Sequence, residues 1–278
     1  MLRVAVPTVL RRALARRRHP DRLRRRDSRR RPHECALPRR RQHRLRRPDR
    51  QAGLHDRQPE RHRVLCLWRL LPLTAEVASE KRELVGFSRS ISADDMLAGY
   101  RRGVFAMSYW GVLYQWWSPD PRGVLPLDAL RVTRSLRKSL RRFDVVFDQD
   151  FPAVLAACAN PDRPGGWIDP GLTRAYLELF ERGHAHSVET RADGRLVGGL
   201  FVVSIGGFVS GESMFHSATD ASKAALVGLV ERLREVDGPV VLDTQWRTEH
   251  LATLGVVDVP RRTYLRALAE VVDRPNVL

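Results

Sequence analysis

Residues 183–245, GHAHSVETRADGRLVGGLFVVSIGGFVSGESMFHSATDASKAALVGLVERLREVDGPVVLDTQ, decide the fold. Three runs rich in β-branched and aromatic residues come first: His186–Arg191, Leu196–Ile205 and Gly207–Ser213. Only Asp193–Gly194 and Gly206–Gly207 separate them, and such pairs between apolar runs predict hairpins, hence an antiparallel meander. Ala221–Val236 then changes period. Leu226, Leu229, Val230 and Leu233 share one helical face, with Asp220 or Thr219 as the cap. Pro239–Gln245 returns to a strand, and Arg261–Val272 reads as a closing helix.

Upstream, residues 151–160 and 171–182 predict two helices. The loop 161–170 that joins them carries Gly165, Gly166 and Trp167. Val132–Arg142 predicts an amphipathic helix, Leu136 and Leu140 lying on one side and Arg134, Lys138 and Arg141 on the other. Three cations without an interleaved acid suit either a solvated face or phosphate contact. Residues 71–119 read as a small first unit. There Ser92 caps a helix through MLAGYRRG, Gly103 stops it, and the aromatics Tyr109, Trp110, Tyr114, Trp116 and Trp117 are expected to be buried. The class is α+β: a small N-terminal α/β domain to residue 119, then a larger domain over 120–278.

Charge separates the rest. Residues 1–70 hold 24 arginines, no lysine and 6 acids, a net of +18, whereas residues 71–278 come to −1. So biased a tract cannot bury enough apolar surface to offset the entropy of ordering. It is expected to be a disordered tail. Arginine without lysine fits GC-rich coding bias better than selection for a basic surface, so a translated stretch upstream of the true start is the alternative to a disordered tail, both ahead of an arm that binds RNA phosphates. No run approaches the length a bilayer requires, and the cationic N-terminus lacks the continuous apolar core of a secretory signal. Cys35, Cys66 and Cys158 are odd in number and widely spaced, which argues against a disulfide framework and a structural zinc site. A cytoplasmic protein is the expectation.

Several residues offer chemistry. Asp243 and Gln245 lie two apart on a predicted strand and therefore point the same way, as an acid and an amide suited to holding a reacting polar group. Taken alone, the pair is better explained as a polar sheet face satisfied by its neighbours, since strand ends often carry polar residues. Glu212 is a second carboxylate at a strand end. Ser213 lacks nucleophile flanks. His184 and His186 lack a third metal ligand, which leaves a structural role. The strand–loop–helix at 207–236 invites comparison with coenzyme A-dependent acetyltransferases, but residues 217–223 contain no glycine for close approach to a pyrophosphate, which argues against coenzyme A.

In order along the chain stand AGYRRGVF (98–105), WWSPDPRGVLP (116–126), VTRSLRKSLRR (132–142), GGWID (165–169), GHAHSVE (183–189), GRLVGGLF (194–201), GESMFHSATDASKAAL (211–226), LDTQW (242–246) and HLATLG (250–255). With these the chain resembles the leucyl/phenylalanyl-tRNA–protein transferases over about residues 84–260. The resemblance implies an acetyltransferase-like (GNAT-related) second domain that uses no cofactor. It implies transfer of Leu, Phe or Met from aminoacyl-tRNA to a protein beginning with Arg or Lys, marking it for N-end-rule degradation, by a monomer.

By the same resemblance Gln245 orients or deprotonates the attacking amine with Asp243 in support, and Glu212 is the pocket acid. Leu200, Leu226, Leu229, Leu233 and Leu242 line the slot for the donor side chain. Trp167 stacks near the terminal adenosine of the tRNA. Met107 stands in the adenosine-contact loop, where some members carry tryptophan. Arg134, Lys138 and Arg141 contact tRNA phosphates. A coenzyme A-dependent N-acetyltransferase and a non-catalytic RNA-binding module are the competing classes.

Overall fold

Ser92 begins the first helix as its sequence requires. Its Oγ accepts from the Asp95 amide at 3.1 Å while Asp95 accepts from the Ser92 amide at 3.1 Å, a reciprocal cap that satisfies two orphan donors. This helix, α1 (Ala93–Tyr100), packs beside a three-stranded antiparallel sheet of order β1 (Leu84–Ser88), β3 (Leu113–Trp117), β2 (Phe105–Tyr109). The computed structural model describes residues 83–162 and 166–278. The arginine tract, the first stretch of the small unit, Cys35, Cys66 and Gly165 lie outside the described residues.

A seven-stranded sheet follows. Its strands are β4 (Arg122–Val124), β5 (Asp144–Phe147), β6 (Ala185–Ala192), β7 (Arg195–Ile205), β8 (Phe208–His216), β9 (Val241–Gln245) and β10 (Val257–Val259), in the order β10-β4-β9-β8-β7-β6-β5. The meander β6–β7–β8 turns at Asp193–Gly194 and Gly206, all three with positive φ, which is why a dipeptide suffices for each hairpin. β8 and β9 pair in parallel, the helix α5 (Ala221–Arg234) making the crossover between them. The expected α+β class is the one observed.

The helices α2 (Arg134–Leu140), α3 (Phe151–Cys158), α4 (Pro170–Glu181), α6 (Glu249–Leu254) and α7 (Arg261–Val271) complete the described chain. Thr133, Asp150, Asp169 and Thr248 each cap a helix by accepting a backbone N–H. Asp220 precedes α5 in the left-handed region and makes no such bond.

The two faces of the large sheet bury different cores. One gathers Tyr100, Phe105, Phe151, Leu172, Tyr176, Phe201, Phe208 and Tyr264, so the small sheet and α1 share a core with α3, α4 and α7. The other sets Leu200, Val209 and Leu242 against Leu226, Leu229, Val230 and Leu233 of α5. The aromatic cluster is divided. Trp116 and Tyr114 are buried as expected, but Tyr109 is 45% and Trp110 85% exposed. Tyr109 ends β2 and Trp110 opens the turn to β3, where Trp110 and Gly111 have φ of 58° and 66° and the chain reverses away from the core.

Candidate active site

Pairing between β8 and β9 stops at Ser210 opposite Asp243, and beyond it the strands separate. Two irregularities widen the gap. On β8, Gly211 and Ser213 face consecutive residues of β7, so Glu212 is extruded from the ladder. On β9, Asp243 and Gln245 face consecutive residues of β4, so Thr244 is the extra residue. Bulges of this kind re-aim side chains and end pairing. The result is a cavity of about 210 Å³ floored by leucines and edged by Glu212, Ser213, Thr244 and Gln245.

Of the expected donor-slot residues, Leu200, Leu226, Leu229 and Leu242 border this cavity. Leu233 is fully buried deeper in the same core and does not. Leu125, Met214, Leu251, Val256 and the exposed His250 complete the wall. None of these five was singled out from sequence, because Leu125 follows β4, Met214 lies on β8 and the rest come from the α6 region, and they meet only through the fold.

Glu212 as a residue is half-buried, yet its Oε1 has no exposed surface and no hydrogen-bond partner. Its Oε2 accepts from Tyr176 Oη at 2.7 Å, and Tyr176 Oη lies 3.5 Å from that of Tyr100. Burial raises the Glu212 pKa to about 7, only partly offset by nearby hydroxyls. Burial also raises Tyr100 and Tyr176, and the Glu212 carboxylate adds to it, so both stay protonated donors.

A stability effect follows. A carboxyl whose pKa rises from 4.5 unfolded to about 7 folded contributes stability that is fully present below pH 4.5 and is lost as pH rises through 7. Glu212→Gln is therefore expected to gain stability relative to wild type as pH rises across that window. Urea unfolding of both proteins at pH 5 and pH 8 reads this. Parallel pH dependence in the two proteins would mean that the carboxyl is not desolvated.

Asp243 is fully buried and does not border the cavity. Its Oδ1 accepts from Arg122 Nε and from the Gln245 amide, each at 2.9 Å. Its Oδ2 accepts from Arg122 Nη2 at 2.6 Å and Tyr264 Oη at 3.0 Å. Arg122 lies between the rings of Phe105 and Tyr264, 4.9 and 4.6 Å from their centroids, and donates to the Gly103 carbonyl. Burial alone would lower the guanidinium's pKa; the Asp243 carboxylate more than reverses this, and the pKa is raised. Removing either partner of such a pair strands a buried charge, at about 3–5 kcal/mol.

Gln245 has a φ of 58°, borders the cavity and donates from Nε2 to Ser210 Oγ at 2.8 Å. The expectation that Asp243 and Gln245 point the same way does not hold: the extra residue Thr244 breaks the alternation, so Asp243 turns to Arg122 and Tyr264 while Gln245 turns to the cavity, and the two meet through the Gln245 backbone amide. Arg122 was visible within WWSPDPR but not as a partner of Asp243. Tyr176, Tyr264 and Ser210 carried no sequence signal.

Trp167 is half-buried and meets Tyr176 edge-on at 6.3 Å, one residue removed from Glu212. Met107, on β2, packs against the same core. Neither borders the cavity. Arg134, Lys138 and Arg141 are exposed on and just after α2, and Arg131, Arg137 and Arg142 extend the basic face. Among the described residues no acid forms an ion pair with these six.

At the start of α5, Asp220 carries its own carboxylate, held by Lys223 Nζ at 2.9 Å and Ser139 Oγ at 2.9 Å. Those bonds, Lys223 first, lower its pKa and keep a negative charge where a pyrophosphate would need donors. His184 and His186 are engaged separately, by the Ser204 carbonyl and the Asp148 carboxylate. Among the described residues no three His, Cys, Asp or Glu side chains form a group able to hold a metal. No helix there is long and apolar enough to cross a membrane.

The profile of the leucyl/phenylalanyl-tRNA protein transferase family matches residues 124–269. A leucyl/phenylalanyl-tRNA–protein transferase of Aromatoleum aromaticum is 45% identical over 202 residues, 71% of this chain and 85% of the relative. One of Pseudomonas fluorescens is 46% identical over 197 residues, 69% of this chain and 87% of the relative. Among solved structures, a ribosomal-protein-alanine N-acetyltransferase from Brucella melitensis covers 40% of this chain and 86% of its own, at 19% identity and a TM-score of 0.30.

Proposed function

The chain belongs to the leucyl/phenylalanyl-tRNA protein transferase family, and from that premise we propose that it moves leucine, phenylalanine or methionine from tRNA onto cytoplasmic proteins that begin with arginine or lysine, marking them for N-end-rule degradation. Acting as a monomer, it forms one peptide bond and releases free tRNA. The observation that carries this reading is the meeting of Glu212 and Gln245 at one leucine-lined cavity.

The chemistry asks little. The aminoacyl ester is already activated. The nucleophile is an α-amine of pKa about 7.7–8.0, partly neutral at physiological pH. The donor's apolar side chain enters among Leu200, Leu226, Leu229 and Leu242. The Glu212 carboxyl, at the edge of the cavity, holds the donor's α-ammonium and draws in the cationic first residue of the acceptor. Gln245, its Nε2 committed to Ser210, offers a carbonyl oxygen that aligns the attacking amine. A carboxamide is too weakly basic to keep a proton, so the proton passes on to the departing ribose oxygen. Trp167 stacks on the terminal adenosine, Met107 of β2 packing against the same core as Trp167, and the α2 cations hold the phosphates.

Donor selectivity tests the reading. A leucine-lined slot reads size, and one methylene is worth about 10–200-fold. Leu-tRNA is expected to donate about 10-fold or more faster than a tRNA misacylated with valine, in kcat/KM with an Arg-initiated peptide. Equal rates would contradict the assignment of the slot.

A further inference from the structure

We infer that Arg122, backed by Tyr264, is a positioning residue for this transfer: it clamps the Asp243 carboxylate, which holds the Gln245 backbone in the left-handed turn that brings the Gln245 carboxamide to the cavity. The inference rests on the reading of Gln245 as the group that aligns the amine. A glutamine at φ 58° adopts a conformation that L side chains keep only where the surroundings over-determine it. Here the determinant is the Gln245 N–H bond to Asp243 Oδ1, at 2.9 Å.

Asp243 is in turn fixed from behind. Arg122 Nε and Nη2 take one oxygen each, and Tyr264 Oη takes the outer oxygen as well. Both oxygens are thus acceptors twice over, the arrangement of an ionised carboxylate with no capacity left for a substrate. Arg122 is itself pinned by the Gly103 carbonyl and two aromatic faces. Gly123 lets the turn close, since a Cβ there would stand 2.5 Å from the Trp246 carbonyl carbon. The amine's proton does not go to Asp243. That side chain acts through the backbone of Gln245 alone.

The test compares the full-length Arg122→Lys, Tyr264→Phe and Gln245→Ala variants in transfer from Leu-tRNA to an Arg-initiated peptide, with amide exchange read by mass spectrometry. Lysine keeps the charge but loses the two-pronged grip. A displacement of the reacting groups on the order of an ångström is expected to lower kcat about 10–100-fold, with KM for both substrates within about three-fold of wild type. Exchange should quicken at residues 244–247 and stay slow in β6 and β7. Tyr264→Phe, lacking one donor of several, should show the same pattern with a loss of about three- to ten-fold. It decides the matter alone if Arg122→Lys does not fold. Wild-type kcat in the folded variants, or lost kcat with unchanged exchange at 244–247, overturns the inference. Wild-type kcat in Gln245→Ala overturns the role of Gln245 beneath it, and the clamp's purpose with it.

Discussion

Gln245→Ala is expected to lower kcat about 100-fold while leaving the affinity for Leu-tRNA unchanged. Such a loss is about 2.7 kcal/mol of transition-state stabilisation, a reasonable value for a group that aligns a nucleophile in the reacting complex alone. The cost to the fold is small by comparison. Alanine is no worse than glutamine at φ 58°, and only the bond to Ser210 is lost, about 1 kcal/mol. Gln245→Gly sharpens the test, because glycine relieves the left-handed backbone and should unfold at a higher temperature than the alanine variant. Activity should remain low in both. Stopped-flow transfer alongside filter binding of Leu-tRNA separates the outcomes, and lost tRNA binding would instead assign Gln245 to donor recognition.

The second large effect concerns the face of α2. Arg134, Lys138 and Arg141 are exposed, near Arg131, Arg137 and Arg142, and among the described residues no acid forms an ion pair with them. If each of the three neutralises one phosphate, they account for about a 20–40-fold loss of affinity between about 50 and 200 mM salt. The triple alanine variant is expected to weaken tRNA binding uniformly across leucine, phenylalanine and methionine tRNAs. Its log–log salt slope should flatten by about 2–2.7. Turnover at saturating tRNA should be unaffected, because the helix contributes nothing to the cavity. An unchanged slope would move the tRNA path to another face.

The elements that could be read from the chain were those whose local chemistry agrees with the final structure. Asp193–Gly194 and Gly206 turn the hairpins, Ser92 and Asp95 close their reciprocal cap, and the spaced leucines of α5 face the sheet. Short strands escaped because their pairing supplies what their sequence lacks. Arg122–Val124 and Val257–Val259 are three residues each; the first becomes a strand by pairing with β9 and the second by pairing with the first.

The site shows the same division. Asp243, Gln245 and Glu212 stood out as polar residues at strand ends, and Leu226, Leu229 and Leu233 as one face of a helix; the slot they form with Leu200 and Leu242 came only from the family resemblance. The geometry between them was not local. Bulges at Glu212 and Thr244 depend on partners in β7 and β4, and the grip on Asp243 comes from Arg122, 121 residues away. The exposed Trp110 marks the opposite limit: apolar character suggested burial, and the turn geometry placed it outside.

The central claim is that this chain forms a peptide bond between a tRNA-borne amino acid and a protein N-terminus. The direct measurement is the mass and fragment spectrum of a peptide beginning with arginine, incubated with the full-length protein and Leu-tRNA, and in parallel with acetyl-CoA. The account predicts the mass gain of one leucyl residue, located on the α-amine, with Leu-tRNA and no acetyl gain with acetyl-CoA. An acetylated peptide, or an unmodified one in the presence of folded protein that binds the tRNA, would contradict it.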